Sequence, residues 1–148
     1  KAKRCYLISI TSNPGHTVIL PCRVPSSRNI TTVKWMRTDL WFENVLKYQD
    51  GQLDLNNQHL SFKDRVELED SEMKDGDMSL ALRDVTTGDS GIYACVLIQE
   101  RITDTEFISF INLNVKPGES DQTEQTQSVS VSSSDMVRGR NVHCVIHF

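Results

Sequence analysis

The sequence predicts an all-β fold, an antiparallel sandwich or barrel, between Thr17 and Val115. Short segments in this region alternate apolar and polar residues, which is typical of strands with one buried face. The segments recur about every ten residues, and no stretch between them has helical periodicity over a useful length. Two cysteines, a tryptophan and a tyrosine also stand at spacings that suit two packed sheets.

Each predicted strand follows from its own alternation. TVILPC turns Val18, Leu20 and Cys22 to one side, and VKWMR groups Val33 and Trp35 in the same way. The next strands are predicted in VLKY, which precedes an Asp-Gly turn, and in RVELED, MSLALRDV, IYACVLI and FISFINLNV, with Val66, Leu68, Leu80 and Leu82 on inward faces.

Length, composition and charge limit the classes of function. The 148 residues suit one domain with extra chain at an end, and a hydrophobic content of 38% supports a core. The net charge of −4 offers no basic excess for phosphates, so no nucleic-acid partner is predicted. No apolar run approaches the roughly 18 residues of a membrane span. The first residues indicate a mature N-terminus from which a signal peptide has been removed.

The four cysteines are Cys5, Cys22, Cys95 and Cys144. None forms a CxxC pair, so neither a zinc ribbon nor a thioredoxin-type motif is predicted. Their long separations suit disulfides in an oxidising compartment, which indicates a protein on the outside of a cell.

The spacing of Cys22, Trp35, Tyr93 and Cys95 suits a cross-linked sandwich. Trp35 follows Cys22 by 13 residues (35 − 22 = 13), and Cys95 follows it by 73 (95 − 22 = 73). Cysteines that point inward from opposing sheets can bridge them, with the indole of Trp35 packed against the sulfurs. Tyr93, two residues before Cys95, has the position of a tyrosine corner, so its hydroxyl is expected to bond back to the turn backbone.

Two charged residues complete this predicted signature. Asp89, in the stretch GDSGIYAC, is expected at the base of the sandwich, within reach of Arg65 in FKDRV.

The Cys–Trp–DxGxYxC pattern resembles the variable-type (V-set) domains of the immunoglobulin superfamily over about Ser9 to Lys116. VLKYQDGQLD, FKDRVELED and KDGDMSLALRDVTTGDSGIYAC further resemble butyrophilins, myelin oligodendrocyte glycoprotein and T-cell costimulatory ligands. The resemblance implies a two-sheet antiparallel Greek-key sandwich, with the V-set domain over residues 1–117. No Phe-Gly-x-Gly follows Cys95, which disfavours an antibody or T-cell receptor domain. These residues also leave no room for the constant-type domain that such ligands usually carry.

The resemblance implies recognition through the outer face of the sheet that contains strands G, F, C and C′. If Cys95 and its alternate neighbours point inward, Ala94, Val96 and Ile98 point outward. The predicted partner-binding residues are Lys34, Met36, Trp41, Tyr48, Ala94, Val96 and Ile98. An exposed apolar row beside a methionine is typical of a protein-binding patch, so Val96→Arg is expected to abolish binding and leave the fold intact. The alternative is that a hairpin covers these side chains, or that they are scattered exposed apolar residues.

Three other segments are candidates for surface function. Trp41 and Phe42 lie between two strands of that sheet, as interface aromatics or as a local cover for the core. The hairpin tip from Gln99 to Glu106 is polar, and is either a specificity loop or a solvated turn. Asn29 begins an Asn-Ile-Thr sequon and is predicted to carry a glycan.

The composition changes after Pro117. Residues 118–135 are polar and rich in serine and threonine, which indicates a flexible stalk within a tail of residues 118–148. The apolar end of the chain is either a docking strand or the beginning of a membrane anchor, and an anchor is expected in the full-length protein. Cys144 can pair with Cys5, or either can bridge two chains; the even number of cysteines favours the Cys5–Cys144 pair.

Together these features predict a binding module and not an enzyme, at the extracellular side of the plasma membrane or alternatively secreted. The expected partner is a cell-surface protein on another cell, bound by a costimulatory or coinhibitory immune ligand or receptor. The alternative is an adhesion molecule that binds a relative or a copy of itself. No cofactor and no metal site are predicted, because His143 and His147 would lie about 13 Å apart on a strand.

Overall fold

The computed structural model describes residues 2–5, 7–24, 30–99 and 106–118, together with three later strands. The strands are β1 (Ala2–Cys5), β2 (Leu7–Ser12), β3 (Val18–Leu20), β4 (Ile30–Arg37), β5 (Glu43–Gln49), β6 (Gln52–Leu53), β7 (Val66–Leu68), β8 (Leu80–Leu82), β9 (Gly91–Gln99), β10 (Glu106–Val115), β11 (Gln125–Val129), β12 (Asp135–Gly139) and β13 (Val142–Ile146). Helical structure in these residues is limited to four 3₁₀ turns, Thr38–Leu40, Leu60–Phe62, Lys74–Gly76 and Thr87–Asp89. No helix in the described part is long and apolar enough to cross a bilayer.

Two sheets form the sandwich. The larger has the order β11-β2-β10-β9-β4-β5-β6, and the smaller has the order β3-β8-β7. β2 runs parallel to β10, while the other neighbours in both sheets are antiparallel. A separate sheet, β1-β13-β12, joins the two ends of the chain. The predicted antiparallel sandwich of V type is therefore confirmed.

One apolar core lies between the two sheets. Cys22 and Cys95 form the expected disulfide across it, and closing a loop of 73 residues stabilises the fold by about 4 kcal/mol if the effect is one of chain entropy. Trp35 is fully buried directly across β4 and β9 from Cys95. Its indole Nε1 donates to the carbonyl oxygen of Met78 at 2.9 Å, so the one polar atom of this side chain has a partner.

A hydrogen-bonded network closes the base of the sandwich. The hydroxyl of buried Tyr93 donates to the carbonyl oxygen of Asp89. Arg65 binds the carboxylate of Asp89 with two bonds of 2.8 Å, and the N–H of Thr86 donates to the same carboxylate at 2.8 Å. Burial raises the pKa of Tyr93, so its hydroxyl keeps the proton that it donates. The predicted contact between Asp89 and Arg65 is present.

Candidate partner-binding face

The outer face of the seven-stranded sheet, turned away from the disulfide core, is the candidate binding surface. Its centre is formed by β4, β5, β9 and β10, which take the places of strands C, C′, F and G. The register across β4 and β9 pairs Lys34 with Val96, Met36 with Ala94, and Thr32 with Ile98. Because Trp35 and Cys95 face the core, these alternate residues face outward, as the sequence predicts.

Three of the predicted contact residues are nevertheless buried. Met36 is 9% exposed, Val96 1% and Ala94 0%. They belong to a second apolar cluster, separate from the disulfide core, whose other buried members are Leu7, Phe107 and Phe110. The prediction of an exposed apolar row is therefore wrong for these three residues, although their outward direction is right.

Two phenylalanines of β10 contribute to this cover. Phe107 lies opposite Val96 and Phe110 opposite Ala94, and the two rings stack with centroids 5.5 Å apart. Strict alternation would place residues three apart on opposite faces. A shift of register between Phe107 and Ser109 returns both rings to the outer face. Alternation of apolar and polar residues does not reveal such an irregularity, so neither phenylalanine is predicted for this face from the sequence. β1 and β13 also contact β10.

Tyr48 lies on the opposite face from the one predicted. The register pairs it with Val33, which is fully buried in the disulfide core, and half-buried Tyr48 packs against that core. Its neighbour Lys47 is the residue that faces outward, directly opposite Lys34. The assignment of Tyr48 to the outer face is therefore wrong.

Trp41 and Phe42 form the exposed part of this surface. Trp41 is 94% exposed and Phe42 40%, so Trp41 does not cover the local core. Both residues have left-handed backbone conformations, with φ of 55° and 59°, which cost roughly 1–2 kcal/mol each in non-glycine residues. The ring of Phe42 meets that of Phe107 edge-on, with centroids 6.5 Å apart. The turn therefore extends the apolar surface of the buried outer-face cluster to side chains that are exposed to solvent.

Arg37 and Asp39 anchor the turn that carries Trp41. Arg37 Nη2 lies 2.6 Å from Asp39 Oδ2 and 2.7 Å from the carbonyl oxygen of Ser90, while Asp39 Oδ1 accepts the N–H of Ile92 at 3.1 Å. Burial alone would raise the pKa of Asp39, but the hydrogen bonds from Arg37 and Ile92 outweigh it and hold the pKa below its usual value. The ionised carboxylate thus links the turn to β9.

Replacing Asp39 by asparagine is expected to destabilise the domain in a pH-dependent way. Since the folded-state pKa lies below the unfolded value near 3.9, the ionised carboxylate adds stability that is fully present above about pH 4 and lost as the pH falls through the folded pKa. We expect Asp39→Asn to lower the free energy of unfolding by about 1 kcal/mol at pH 7, after allowance for solvent screening.

Urea unfolding at a series of pH values from 7 to 3 measures this effect. The difference between wild type and Asp39→Asn is expected to narrow below about pH 4. Asp50→Asn is the matched control, because it changes a carboxylate in the exposed turn between β5 and β6. If the difference in the free energy of unfolding between wild type and Asp39→Asn keeps its full size down to pH 3, this result would contradict the proposed anchoring.

The other predicted residues have mixed outcomes. Lys34 and Ile98 are half-buried on the outer face. Asn29 and residues 100–105 of the hairpin tip lie outside the described residues, so the glycan and the specificity loop stay predictions.

The parallel pairing of β1 with β13 places Cys144 opposite Lys3. The side chains of Cys5 and Cys144 lie outside the described part, and their pairing stays a prediction.

The acidic and histidine residues do not assemble a metal centre in the part of the chain that is described. There, no group of three or more histidine, cysteine, aspartate or glutamate side chains is placed to hold an ion.

Comparisons with known proteins agree with this architecture. The family model of the immunoglobulin V-set domain matches residues 8–116. Mouse programmed cell death 1 ligand 1 is 30% identical over 99 residues, which cover 64% of this chain and 32% of that protein. The chain thus spans about a third of the length of this curated relative.

Two solved structures show the same fold. The IgV-like domain of human B7-H4 superposes with a TM-score of 0.62 at 20% identity, over 74% of this chain and 96% of that one. Bovine butyrophilin superposes with a TM-score of 0.58 at 22% identity, over 74% of this chain and 54% of that one. Since the family model covers most of the sequence and the sandwich, disulfide and tyrosine corner are all present, the chain belongs to the immunoglobulin V-set family.

Proposed function

We propose that this domain is a recognition module at the extracellular side of the plasma membrane that binds a protein of another cell. The binding surface is the outer face of the seven-stranded sheet, together with the turn of Trp41 and Phe42. The domain acts as a costimulatory or coinhibitory ligand or receptor of immune cells, and not as an enzyme. Membership of the V-set family and the similarity to a protein whose name makes it a ligand support this role.

The exposed Trp41 is the observation that carries the proposal. An indole that is 94% exposed leaves a large apolar surface in water, which is unfavourable unless a partner covers it. Tryptophan is among the residues most enriched in the hot spots of protein interfaces. The left-handed backbone at Trp41 and Phe42 holds both rings at the edge of the face, at a cost in stability that a binding role explains.

Tetramer staining of cells tests the proposal. Fluorescent tetramers of the complete 148-residue chain are expected to stain T cells in flow cytometry. Trp41→Ser is expected to weaken binding at least about 30-fold, the loss typical of a hot-spot residue. Leu60→Ser is the matched control, because Leu60 is 83% exposed but lies in the turn between β6 and β7.

The pattern of staining decides between the candidate roles. Staining that survives Trp41→Ser, or that falls equally with Leu60→Ser, would contradict the proposed surface. Staining restricted to cells that display this same chain would instead indicate homophilic adhesion.

A further inference from the structure

Two lysines face each other on the outer face of the sheet. Lys34 on β4 and Lys47 on β5 are directly opposite in an antiparallel pair, and both are half-buried. Directly opposite residues in such a pair have Cβ atoms about 4.5–5.5 Å apart, and like charges there are destabilising. A fold under selection for stability alone gains nothing from this arrangement.

Among the described residues, one carboxylate lies close to these two positive charges. Asp54 Oδ2 lies 3.7 Å from Lys47 Nζ. Among the described residues, no carboxylate forms an ion pair with Lys34. Burial lowers the pKa of Lys34, the charge of Lys47 lowers it further, and Asp54 opposes them in part. In the described part of the chain, Asp54 is thus the one carboxylate that offsets both lysines, which leaves a positive charge at this pair.

Apolar groups border this charge on one side. Across β9, Lys34 lies opposite Val96, a member of the second apolar cluster, and Met36 of that cluster follows two residues later on β4. The half-buried Ile98 lies on the same face. An anion that approached Lys34 would thus be partly removed from water, where a charged hydrogen bond is stronger than at a fully exposed site.

We propose that Lys34 and Lys47 together bind a carboxylate, from an aspartate or glutamate that the partner protein projects from an otherwise apolar contact surface. The site fits one carboxylate and not an extended polyanion, because it consists of two lysines with apolar groups on the β9 side, and the chain carries a net charge of −4. This inference rests on the proposed function and names the chemistry that its binding face recognises.

A library of short random peptides displayed on phage tests the inference without the natural partner. Selection on the complete immobilised chain is expected to enrich peptides that place an acidic residue beside apolar or aromatic ones. Lys34→Glu is expected to weaken the binding of a synthetic copy of such a peptide by about 10- to 100-fold, the range for loss of a charge-assisted hydrogen bond. Lys63→Glu, at an exposed lysine between β6 and β7, is the matched control and should change affinity less than about twofold.

Thermal unfolding of Lys34→Gln supplies a second readout. Removing one of two opposed like charges is expected to raise the melting temperature while peptide affinity falls, which a merely structural lysine would not show. The inference is overturned if the library yields no specific peptide, if the selected peptides lack acidic residues, or if Lys34→Glu and Lys63→Glu weaken binding equally. Tetramer staining of cells is a separate result, so failure of the proposed function is distinguished from failure of the carboxylate site.

Discussion

Replacing Trp35 by alanine is expected to lower the free energy of unfolding by about 3–5 kcal/mol, the range for a large aromatic side chain deleted from a core. Trp35 is fully buried and lies directly across from Cys95, so its removal leaves a cavity beside the disulfide. The substitution also removes the donor to the carbonyl oxygen of Met78, which then stays buried without its partner.

Urea unfolding followed by circular dichroism measures the loss, and the second tryptophan of the chain provides its control. Trp41→Ala deletes the same side chain from a position that is 94% exposed, so we expect a change within about 0.5 kcal/mol. Each variant keeps the other tryptophan, so indole fluorescence gives an independent transition. A Trp35→Ala protein as stable as Trp41→Ala would be incompatible with a sandwich core built on Trp35.

The contrast between the two tryptophans shows which part of the fold the sequence could predict. Alternation places Trp35 on the same side as Val33, and its spacing from Cys22 suits a bridge between sheets. The pair of Asp89 with Arg65 could also be expected, because Asp89 belongs to the DxGxYxC pattern, which places it at the base of the sandwich within reach of Arg65. These features depend on local periodicity and on pairings that the fold itself requires.

Which side chains of the outer face are exposed could not be predicted from the sequence, because their exposure depends on the pairing register of the strands. The bulge after Phe107 turns Phe107 and Phe110 to one face, where simple alternation separates them. Likewise, the cross-strand partner of Lys34 is Lys47, and only the observed pairing shows that Tyr48 faces the core. A one-residue change of register moves every side chain of a strand to the other face. The sequence therefore predicted the direction of Val96 but not its burial.

The burial of Val96 reverses the expected effect of placing a charge there. Val96→Arg is expected to lower the free energy of unfolding by about 3 kcal/mol or more, because it buries a charge without a partner among apolar side chains. Val96 is 1% exposed, Phe107 lies opposite it on β10, and Lys34 lies opposite it on β4. The new guanidinium would thus replace apolar contacts and also meet a like charge.

Two further variants distinguish the effect of Val96→Arg on stability from an effect on partner binding. Val96→Ala removes apolar volume without adding charge and is expected to cost about 1–2 kcal/mol. Ile98→Arg adds the same charge to the same face at a half-buried position, so we expect a loss below about 1 kcal/mol, with the aliphatic stem retained on the surface. A Val96→Arg protein with wild-type stability but no tetramer staining would show that the centre of the face is open to partners. Unfolding of Val96→Arg beside a stable Ile98→Arg would instead mean that the aromatic cover over Val96 is part of the fold, which leaves Trp41 and the lysine pair as the candidate contacts of this face.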